Sequence, residues 1–197
     1  ARARTRLSEH SMRDWWVNQN QTYRHEVAGG YLWSPKRKQN DAINPFYEFM
    51  REVAPGDLVF SFADTRIRAF GVAQSFAYEA PKPIEFQAAG RYWNDIGWRI
   101  DVRFTEVVSV VRPVDWMEVL RPLLPVRYSP LLADGRGVQS IYLTELSEPL
   151  ALALADLLGN VVAALARSST VADQEIAVPS SESVLWEDYL RKTIDSD

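Results

Sequence analysis

The sequence predicts an α+β fold, a small, partly closed β-barrel with short flanking helices and a further helix near the C-terminus. Three observations predict it. Apolar and polar residues alternate in several short segments before residue 146, as they do in half-buried strands. Helical patterns in the same region are few and short. Because the strand segments are regularly spaced with helices between them, a small barrel is favoured over an open sheet.

The first predicted strand is "DWWVNQ". Alternate side chains of a strand point to opposite faces, so Trp15 and Val17 share one face and Trp16 shares the other with Asn18. One tryptophan is therefore expected in the core, and the face shared by Trp16 and Asn18 is what a pocket wall would present. The following "VAGGYLWSP" contains a glycine pair and a proline, which indicates a loop that enters an extended segment.

A helix is predicted for "NPFYEFMREVA", because Asn44 can cap it, Pro45 suits the first turn and the apolar residues recur on one face. Two strands follow, "DLVFSFA" and "RAFGVAQSFAYEA", with "DTRI" as the turn between them. In the first of these, Phe60 and Phe62 are expected in the core, and Ser61 faces the other way.

The clearest strand is "WRIDVRFTEVVSVV", which alternates from Trp98 onward. A short helix, "PVDWMEVLRPLL", and a last strand, "GVQSIYLTEL", come next. The apolar segment "EPLALALADLLGNVVAALA" predicts a helix with a break near Gly159. We expect a disordered basic lead over residues 1–11, a domain over 12–160, a polar linker over 161–183 and a helix over 184–197.

Composition excludes several functions. The chain has no cysteine, so disulfides, thiolate zinc sites and cysteine nucleophiles are excluded. No apolar run approaches the roughly 20 residues of a membrane span, and we expect a cytoplasmic protein without a membrane partner. No phosphate-binding or dinucleotide-binding glycine motif and no nucleophile elbow occurs. The sequence therefore predicts no cofactor.

Charge is unevenly distributed along the chain. The net charge is −4, but residues 168–197 carry seven acids and two bases, whereas residues 1–38 carry eight bases and three acids. Beyond a Debye length an acidic segment does not cancel a basic one. A local basic surface of this kind suits phosphate contacts, although a group such as "KRK" is also often simply solvated.

Evidence for catalysis is weak. His10 and His25 are not at metal-ligand spacing, and no acidic cluster stands out. His25 and Glu26 could form an acid/base pair, but a surface or hydrogen-bonding histidine is the commoner role. Whether the chain belongs to an enzyme is left open, with no catalytic residue and no metal ligand assigned.

A binding pocket has better support. Residues 15–38 combine three tryptophans with amide side chains and clustered positive charge. A base taken out of its stack is held by aromatic faces and read along its edge by amides or hydroxyls. Trp33, which a glycine pair precedes and Ser34 and Pro35 follow, is the best candidate for a pocket ring. The alternative is that all these tryptophans are core.

The ordered set "WWVNQ", "YLWSPK", "VAPGDLVFSF", "AFGVAQ", "GWRIDVRFTEV", "RPVDW" and "GVQSIYLTEL" resembles the EVE domain, a member of the PUA-like group that includes the YTH readers of methylated RNA. The segment "WWVNQNQTYRHEVAGGYLWSPKR" is most similar to the N-terminal domain of EVE–HNH endonucleases, which are modification-dependent (type IV) restriction enzymes.

The resemblance implies a PUA-like fold and double-stranded DNA as the partner. A 5-methylcytosine or 5-hydroxymethylcytosine base would be flipped into an aromatic pocket, and an HNH nuclease domain would follow in the full-length protein. The last helical segment, 184–197, would be the start of that missing region. The pocket residues that the resemblance implies are Trp16, Asn18, Gln19, Tyr31, Trp33, Ser34, Ser61, Phe62, Gln139 and Ser140. The residues expected to contact phosphate are Arg24, Lys36, Arg37 and Lys38.

Three alternatives stay open at this point. The domain could read modified RNA, since the wider group contains such readers. It could be a small-molecule enzyme or sensor whose aromatic cavity holds a metabolite. It could also be an interaction module in which every tryptophan is core.

Overall fold

A computed structural model describes residues 12–88 and 90–167. Its centre is a mixed sheet of seven strands that curls into a half-barrel. The predicted α+β class, the partly closed barrel, the short flanking helices and the C-terminal helix are all confirmed. The sheet order is β2-β6-β4-β3-β1-β7, with β5 paired to β6. The strands are β1 (Asp14–Asn18), β2 (Tyr31–Pro35), β3 (Leu58–Ala63), β4 (Arg66–Ala73), β5 (Tyr78–Pro81), β6 (Ile96–Val111) and β7 (Leu143–Leu146).

Short helices surround the sheet. They are α1 (Tyr23–Gly29), α2 (Pro45–Glu48), α3 (Met117–Leu120) and α4 (Glu148–Leu158), and a further helix, α5, spans residues 160–167. The predicted cap of α2 is confirmed, since the Phe46 N–H donates to the Asn44 side chain at 3.1 Å. The predicted break in the last helix lies at Gly159, whose φ of 111° only glycine adopts readily.

Strand β1 lies inside the sheet and is covered on both faces. It pairs in parallel with β3 and antiparallel with β7. Its indole rings belong to two different layers of the core: Trp15 packs with the residues inside the barrel, and Trp16 packs with the outer layer beneath α4. Both rings are fully buried. A strand covered on both faces cannot show by alternation which face is a pocket.

One carboxylate anchors the start of β1. The Trp15 Nε1–H donates to Asp57 Oδ2 at 2.8 Å, and the backbone N–H groups of Arg13 and Ala54 donate to the same side chain at 3.0 Å each. Asp57 is fully buried. These bonds fix the entry of β1 against the turn that precedes β3, which sets the register of the sheet centre.

Three segments differ from the sequence prediction. Residues 23–29 form α1, which ends at the left-handed Gly30, so the start of the predicted loop, residues 27–29, is helical. The single strand predicted after the "DTRI" turn is interrupted, so that β4 ends at Ala73 and β5 begins at Tyr78. The linker expected from residue 161 is helical as far as residue 167, because its apolar residues, among them Val162 and Ala166, pack into the outer core layer. The remaining linker, the basic lead and the last predicted helix lie outside the described residues.

Within the described parts of the chain, no helix has both the length and the apolar character needed to cross a bilayer.

Candidate nucleobase-binding cavity

A cavity of about 310 Å³ opens at the split of the half-barrel, where edge strand β2 lies opposite the ends of β1 and β7. Its volume lies at the lower end of the range of roughly 300–1,000 Å³ that small-molecule sites occupy. The mouth of a barrel is a common place for such a site. The lining residues are Asn18, Asn20, Gln21, Thr22, Trp33, Ser34, Pro35, Tyr47, Trp93, Gln139, Ser140, Ile141 and Tyr142.

The lining is polar and aromatic but uncharged. Among the described residues that form it, four carry aromatic rings, four carry amides and three carry aliphatic hydroxyls, and none carries a formal charge at neutral pH. Amides and hydroxyls both donate and accept hydrogen bonds. The cavity therefore suits a neutral planar ligand with donors and acceptors on its edge, and it offers no counter-ion to a charged metabolite.

Two indole rings form the aromatic wall. Trp33 and Trp93 lie nearly parallel, with ring centroids 6.1 Å apart and an angle of 27° between their planes. Phe86 meets both rings edge-on at 5.8 Å, and the Trp33 Nε1–H donates to the Ala80 carbonyl at 3.2 Å. Trp33 is only 1% exposed, so its orientation is fixed by its surroundings before any ligand arrives.

Trp93 belongs to the loop between β5 and β6, which one lysine holds in place. The Lys82 ammonium donates to the Trp93 carbonyl at 3.1 Å and to Asp95 Oδ1 at 3.2 Å. A methyl group added at Gly90 would lie 3.1 Å from the Lys82 side chain and 3.2 Å from Cβ of Phe86. This tight packing and the lysine bonds together fix where the loop places its indole.

Gly97 allows Trp33 to lie flat on the neighbouring strand. It is the register partner of Pro35 on β2. A Cβ at this position would lie 2.2 Å from the Ser34 carbonyl oxygen and 2.4 Å from Cζ2 of Trp33. Contacts this short do not occur in proteins, so only glycine lets the ring and both strands keep their positions.

A buried carboxylate lies directly behind the cavity. Glu26 of α1 is fully buried and accepts four hydrogen bonds. Its Oε1 accepts from the Trp33 N–H at 2.8 Å and from the Tyr142 hydroxyl at 2.6 Å. Its Oε2 accepts from Gln19 Nε2 at 2.8 Å and from the Thr22 hydroxyl at 2.7 Å. Three of these donors belong to residues that line the cavity, so Glu26 bridges the edge strand to the opposite wall.

Burial opposes the ionisation of both Glu26 and Tyr142. Loss of hydration raises the pKa of Glu26, while the bonds from Tyr142, Thr22, Trp33 and Gln19 act in the opposite direction. Burial, followed by the neighbouring Glu26 carboxylate, raises the pKa of Tyr142 well above its ordinary value. Tyr142 thus stays a neutral phenol that can donate to Glu26.

Ser34 carries an unused hydrogen-bonding group. It lines the cavity and is 1% exposed, and its Oγ has no hydrogen-bond partner within the described structure. A buried hydroxyl without a partner costs about 1–3 kcal/mol. A ligand edge that supplied the missing bond would recover this energy.

Five of the ten residues predicted for the pocket line the cavity, although they come from three separate parts of the chain. Asn18 ends β1, Trp33 and Ser34 belong to β2, and Gln139 and Ser140 precede β7. The Asn18 side chain makes two long hydrogen bonds: its Nδ2 donates to the Val138 carbonyl at 3.5 Å, and its Oδ1 accepts from the Asn20 N–H at 3.4 Å, both near the limit of hydrogen bonding. Its side chain is thus available to a ligand.

The other five do not line the cavity. Trp16 and Phe62 pack against each other in the outer core layer, with centroids 4.8 Å apart. Ser61 donates to Gln19, which is itself bonded to Glu26, so this pair supports the wall from behind. Tyr31 is buried on the same face of β2 as Trp33 but two residues away from it, and its hydroxyl donates to a Glu85 carboxylate oxygen at 2.7 Å. The positions of these five side chains depend on the order of the strands in the sheet, which alternation along a single strand does not reveal.

The predicted phosphate-binding residues fall into three environments. Lys36 is paired with Glu79, and its ammonium lies 4.5 Å from the centroid of the Trp98 ring. Arg37 and Lys38 follow Pro35 at the cavity rim and are exposed, with Arg37 also 3.7 Å from an Asp41 oxygen. Arg24 lies apart from them, at a second hollow beside Tyr23 and Phe104.

Sequence reasoning missed Trp93 and Tyr47 as lining residues and Glu26 as their support. Trp93 lies in an irregular loop that shows no periodic pattern, and Tyr47 lies on α2 outside the apolar face that predicts this helix. In the sequence Glu26 directly follows Arg24 and His25, and nothing in this segment indicates that its side chain is buried. Its main partner, Tyr142, lies 116 residues further along the chain.

The structure does not join His25 and Glu26 into a catalytic pair. His25 is exposed and lies beside Phe86, with ring centroids 6.2 Å apart, whereas Glu26 is buried among donors. Over residues 12–88 and 90–167, no three histidine or carboxylate side chains come together as metal ligands would.

Comparison with known proteins shows the fold. No protein-family model matches the chain, and no curated protein does. Among solved structures, a hypothetical protein from Leishmania major superposes with a TM-score of 0.52 at 10% identity, over 75% of this chain and 94% of its own. A protein from Pseudomonas putida gives a TM-score of 0.50 at 13% identity, over 74% and 99%. The YTH domain of the Zygosaccharomyces rouxii MRB1 protein, solved with N6-methyladenosine RNA, gives 0.49 at 12% identity, over 81% and 94%. At such identities the likeness concerns the fold alone.

Proposed function

We propose that this domain reads a single modified nucleobase, which it holds outside the nucleic-acid stack in the cavity beside Trp33 and Trp93. The observation that carries the proposal is the combination of near-parallel indole rings with an uncharged edge of amides and hydroxyls. A nucleobase is flat, neutral and bordered by donors and acceptors, so each part of this lining has a counterpart on it.

The energetics favour a base over an arbitrary metabolite. Stacking on aromatic rings contributes roughly 1–3 kcal/mol per base, which is comparable to the few kcal/mol that extrusion from a duplex costs. The unpartnered Ser34 hydroxyl and the weakly bonded Asn18 amide add hydrogen bonds that only a ligand with a matching edge can make. Phosphate contacts at the rim would add affinity without selecting a sequence.

The finer proposal follows the resemblance to EVE domains. The base is 5-methylcytosine or 5-hydroxymethylcytosine in double-stranded DNA, and the domain directs an HNH nuclease that belongs to the full-length protein. A methyl group contributes about 0.8 kcal/mol when it is buried. Discrimination through the methyl group alone should therefore be less than about tenfold, unless the cavity also disfavours the unmodified base.

Titration with matched nucleic acids tests the proposal. One duplex sequence is prepared with cytosine, 5-methylcytosine, 5-hydroxymethylcytosine or N6-methyladenine at one position, together with single-stranded RNA of equal length with and without N6-methyladenosine. We expect tightest binding to a duplex with a modified cytosine, and loss of that preference in Trp33→Ala. Tightest binding to modified RNA would overturn the finer proposal and keep the nucleobase reader. Equal binding to modified and unmodified forms of every probe would overturn the reader itself.

A further inference from the structure

The loop that presents Trp93 to the cavity also carries a ring that faces the solvent. Tyr92 is 66% exposed, and the guanidinium of Arg91 lies 5.6 Å from its ring centroid. Single exposed apolar residues are common and need no explanation by themselves. Tyr92 differs because it directly precedes a lining residue and has a cation beside it.

Hydrogen bonds on both sides of Tyr92 fix the backbone of the loop at this position. The Trp93 N–H donates to the Gly90 carbonyl at 3.1 Å, and the Arg91 N–H donates to the Ala88 carbonyl at 3.3 Å. Lys82 fixes the far side of the loop through the Trp93 carbonyl. Neighbouring Cα atoms are about 3.8 Å apart, so the Tyr92 backbone lies directly beside that of Trp93, which lines the cavity.

We propose that Tyr92 and Arg91 form a second nucleotide subsite, in which Tyr92 stacks on the base next to the one in the cavity and Arg91 contacts the intervening phosphate. This inference rests on the proposed function. When a base leaves its stack, each neighbour loses an aromatic contact on one face. An exposed ring beside the cavity replaces that contact, and the adjacent guanidinium meets the negative charge of the backbone.

The subsite also divides the recognition between two parts of the domain. The cavity selects the modified base, whereas Tyr92 stacks on whichever base lies beside it, because every base has a π-face. Tyr92 therefore raises affinity for an oligonucleotide but not for an isolated nucleoside.

Three proteins and two ligands test this. The proteins are the wild-type chain, Tyr92→Ala and, as a matched control, Phe76→Ala, which removes an equally exposed ring (65%) at the other end of β5. The ligands are 5-methyl-2′-deoxycytidine and a duplex with one 5-methylcytosine. We expect Tyr92→Ala to bind the duplex about tenfold more weakly, within the range of roughly 5- to 100-fold that one stacked base represents, and to bind the nucleoside as the wild type does. Phe76→Ala should match the wild type on both.

A fluorescent neighbour gives a direct readout. With 2-aminopurine placed next to the 5-methylcytosine, stacking on Tyr92 keeps its fluorescence low in the wild-type complex, and Tyr92→Ala should raise it. Unchanged duplex affinity and fluorescence in Tyr92→Ala would overturn the subsite while the proposed function stands. Equal losses for nucleoside and duplex would overturn it too, because Tyr92 would then act through the cavity. If the wild-type protein binds neither ligand, the proposed function itself fails.

Discussion

At the scale of single residues, Glu26 shows how the cavity wall is held. Four donors converge on one buried carboxylate: two come from the turn before α1, one from the edge strand β2 and one from the residue that precedes β7. A carboxylate is suited to this place because it is the side chain that accepts at all four sites at once. The wall is therefore pre-organised by an acid that the ligand does not reach.

Glu26→Gln should lower the free energy of unfolding by about 1–3 kcal/mol at pH 8. The amide accepts with one oxygen only, so at least one of the N–H groups of Gln19 and Trp33 loses its acceptor. Chemical denaturation measures the change. Glu85→Gln is the control, because this partly exposed carboxylate accepts from the Tyr31 hydroxyl and its replacement should cost less than about 1 kcal/mol. An unchanged denaturation midpoint for Glu26→Gln would contradict the assignment of Glu26 as the acceptor of four hydrogen bonds.

Gly97→Ala tests the packing of Trp33 on β6. The added methyl group meets Cζ2 of Trp33 and the Ser34 carbonyl, so it must displace the ring or separate the strands. We expect a loss of stability of about 1–3 kcal/mol and at least tenfold weaker binding of a modified duplex by the folded protein.

The matched control for that variant is Gly71→Ala. A methyl group there lies 2.5 Å from Cγ1 of Val102 inside the barrel, away from the cavity. It should destabilise the protein to a similar degree while the folded fraction binds as the wild type does. Equal effects of the two variants on binding would mean that Gly97 acts through general stability and not through Trp33.

At the residue scale, the sequence predicts which residue types form the site better than it predicts their positions. Asn18, Trp33 and Ser34 line the cavity as expected. Trp16 does not, because β1 is covered on both faces, and the alternation that assigned its side cannot distinguish a second core layer from a pocket.

At the scale of elements, the segment that follows the lining residue Pro35 at the end of β2 carries three consecutive cations. Lys36 is paired with Glu79 and Arg37 with Asp41, whereas Lys38 is exposed and has no ion pair among the described residues. Ion pairing lowers what a lysine can contribute to phosphate binding, so these three residues are not equivalent even though they are adjacent.

Replacing both Arg37 and Lys38 by alanine should flatten the salt dependence of duplex binding. Each phosphate contact contributes about 0.9 to the slope of log K against log salt, so the double variant should lose up to about 1.8. Lys36→Ala should change the slope less than Lys38→Ala, because Glu79 already balances the charge of Lys36. The ratio of affinities for modified and unmodified duplex should stay the same. A slope equal to that of the wild type would exclude these residues as phosphate contacts.

The sequence predicts correctly those elements that have a regular hydrophobic pattern or a clear helix cap. The alternation from Trp98 locates β6, and the cap at Asn44 locates α2. Helix α1 is missed because its seven residues end in a glycine pair and are too short to establish a helical period. The loop of Trp93 is missed as part of the site because its position depends on Lys82 and on packing across strands.

At the scale of the whole molecule, the acids around the start of β1 predict how stability depends on pH. Burial, together with the nearby carboxylates of Asp57, Glu148 and Glu145, raises the pKa of Asp14 to about 6 from 3.8. The folded state therefore binds a proton more tightly than the unfolded state. Stability from this group is highest at low pH, falls as pH rises from about 4 to about 6, and stays lower above that. Burial also raises the pKa of Glu26, which acts in the same direction.

Asp14→Asn should raise Tm at pH 8, since the asparagine cannot ionise. We expect a gain of about 1–2 kcal/mol, which corresponds to roughly 2–8 °C. This is less than the pKa difference alone implies, because the side chain is partly exposed. The gain should shrink towards pH 4, where the wild-type carboxyl is protonated in the folded protein. Thermal unfolding of both proteins across this pH range measures it. A gain that does not vary with pH would show that the charge of Asp14 is not its cause.

The proposed function requires that the cavity at the split of the half-barrel holds one nucleobase. The base would lie with the wall of Trp33 and Trp93 on one side and the amide side chains on the other. The most direct measurement is a crystal structure of the protein bound to the tightest ligand from the titration. The account predicts the modified base out of its stack, against the indole rings, with Ser34 and Asn18 bonded to its edge. A base that remains stacked in the nucleic acid, or that is bound elsewhere on the domain while the cavity holds only solvent, would contradict it.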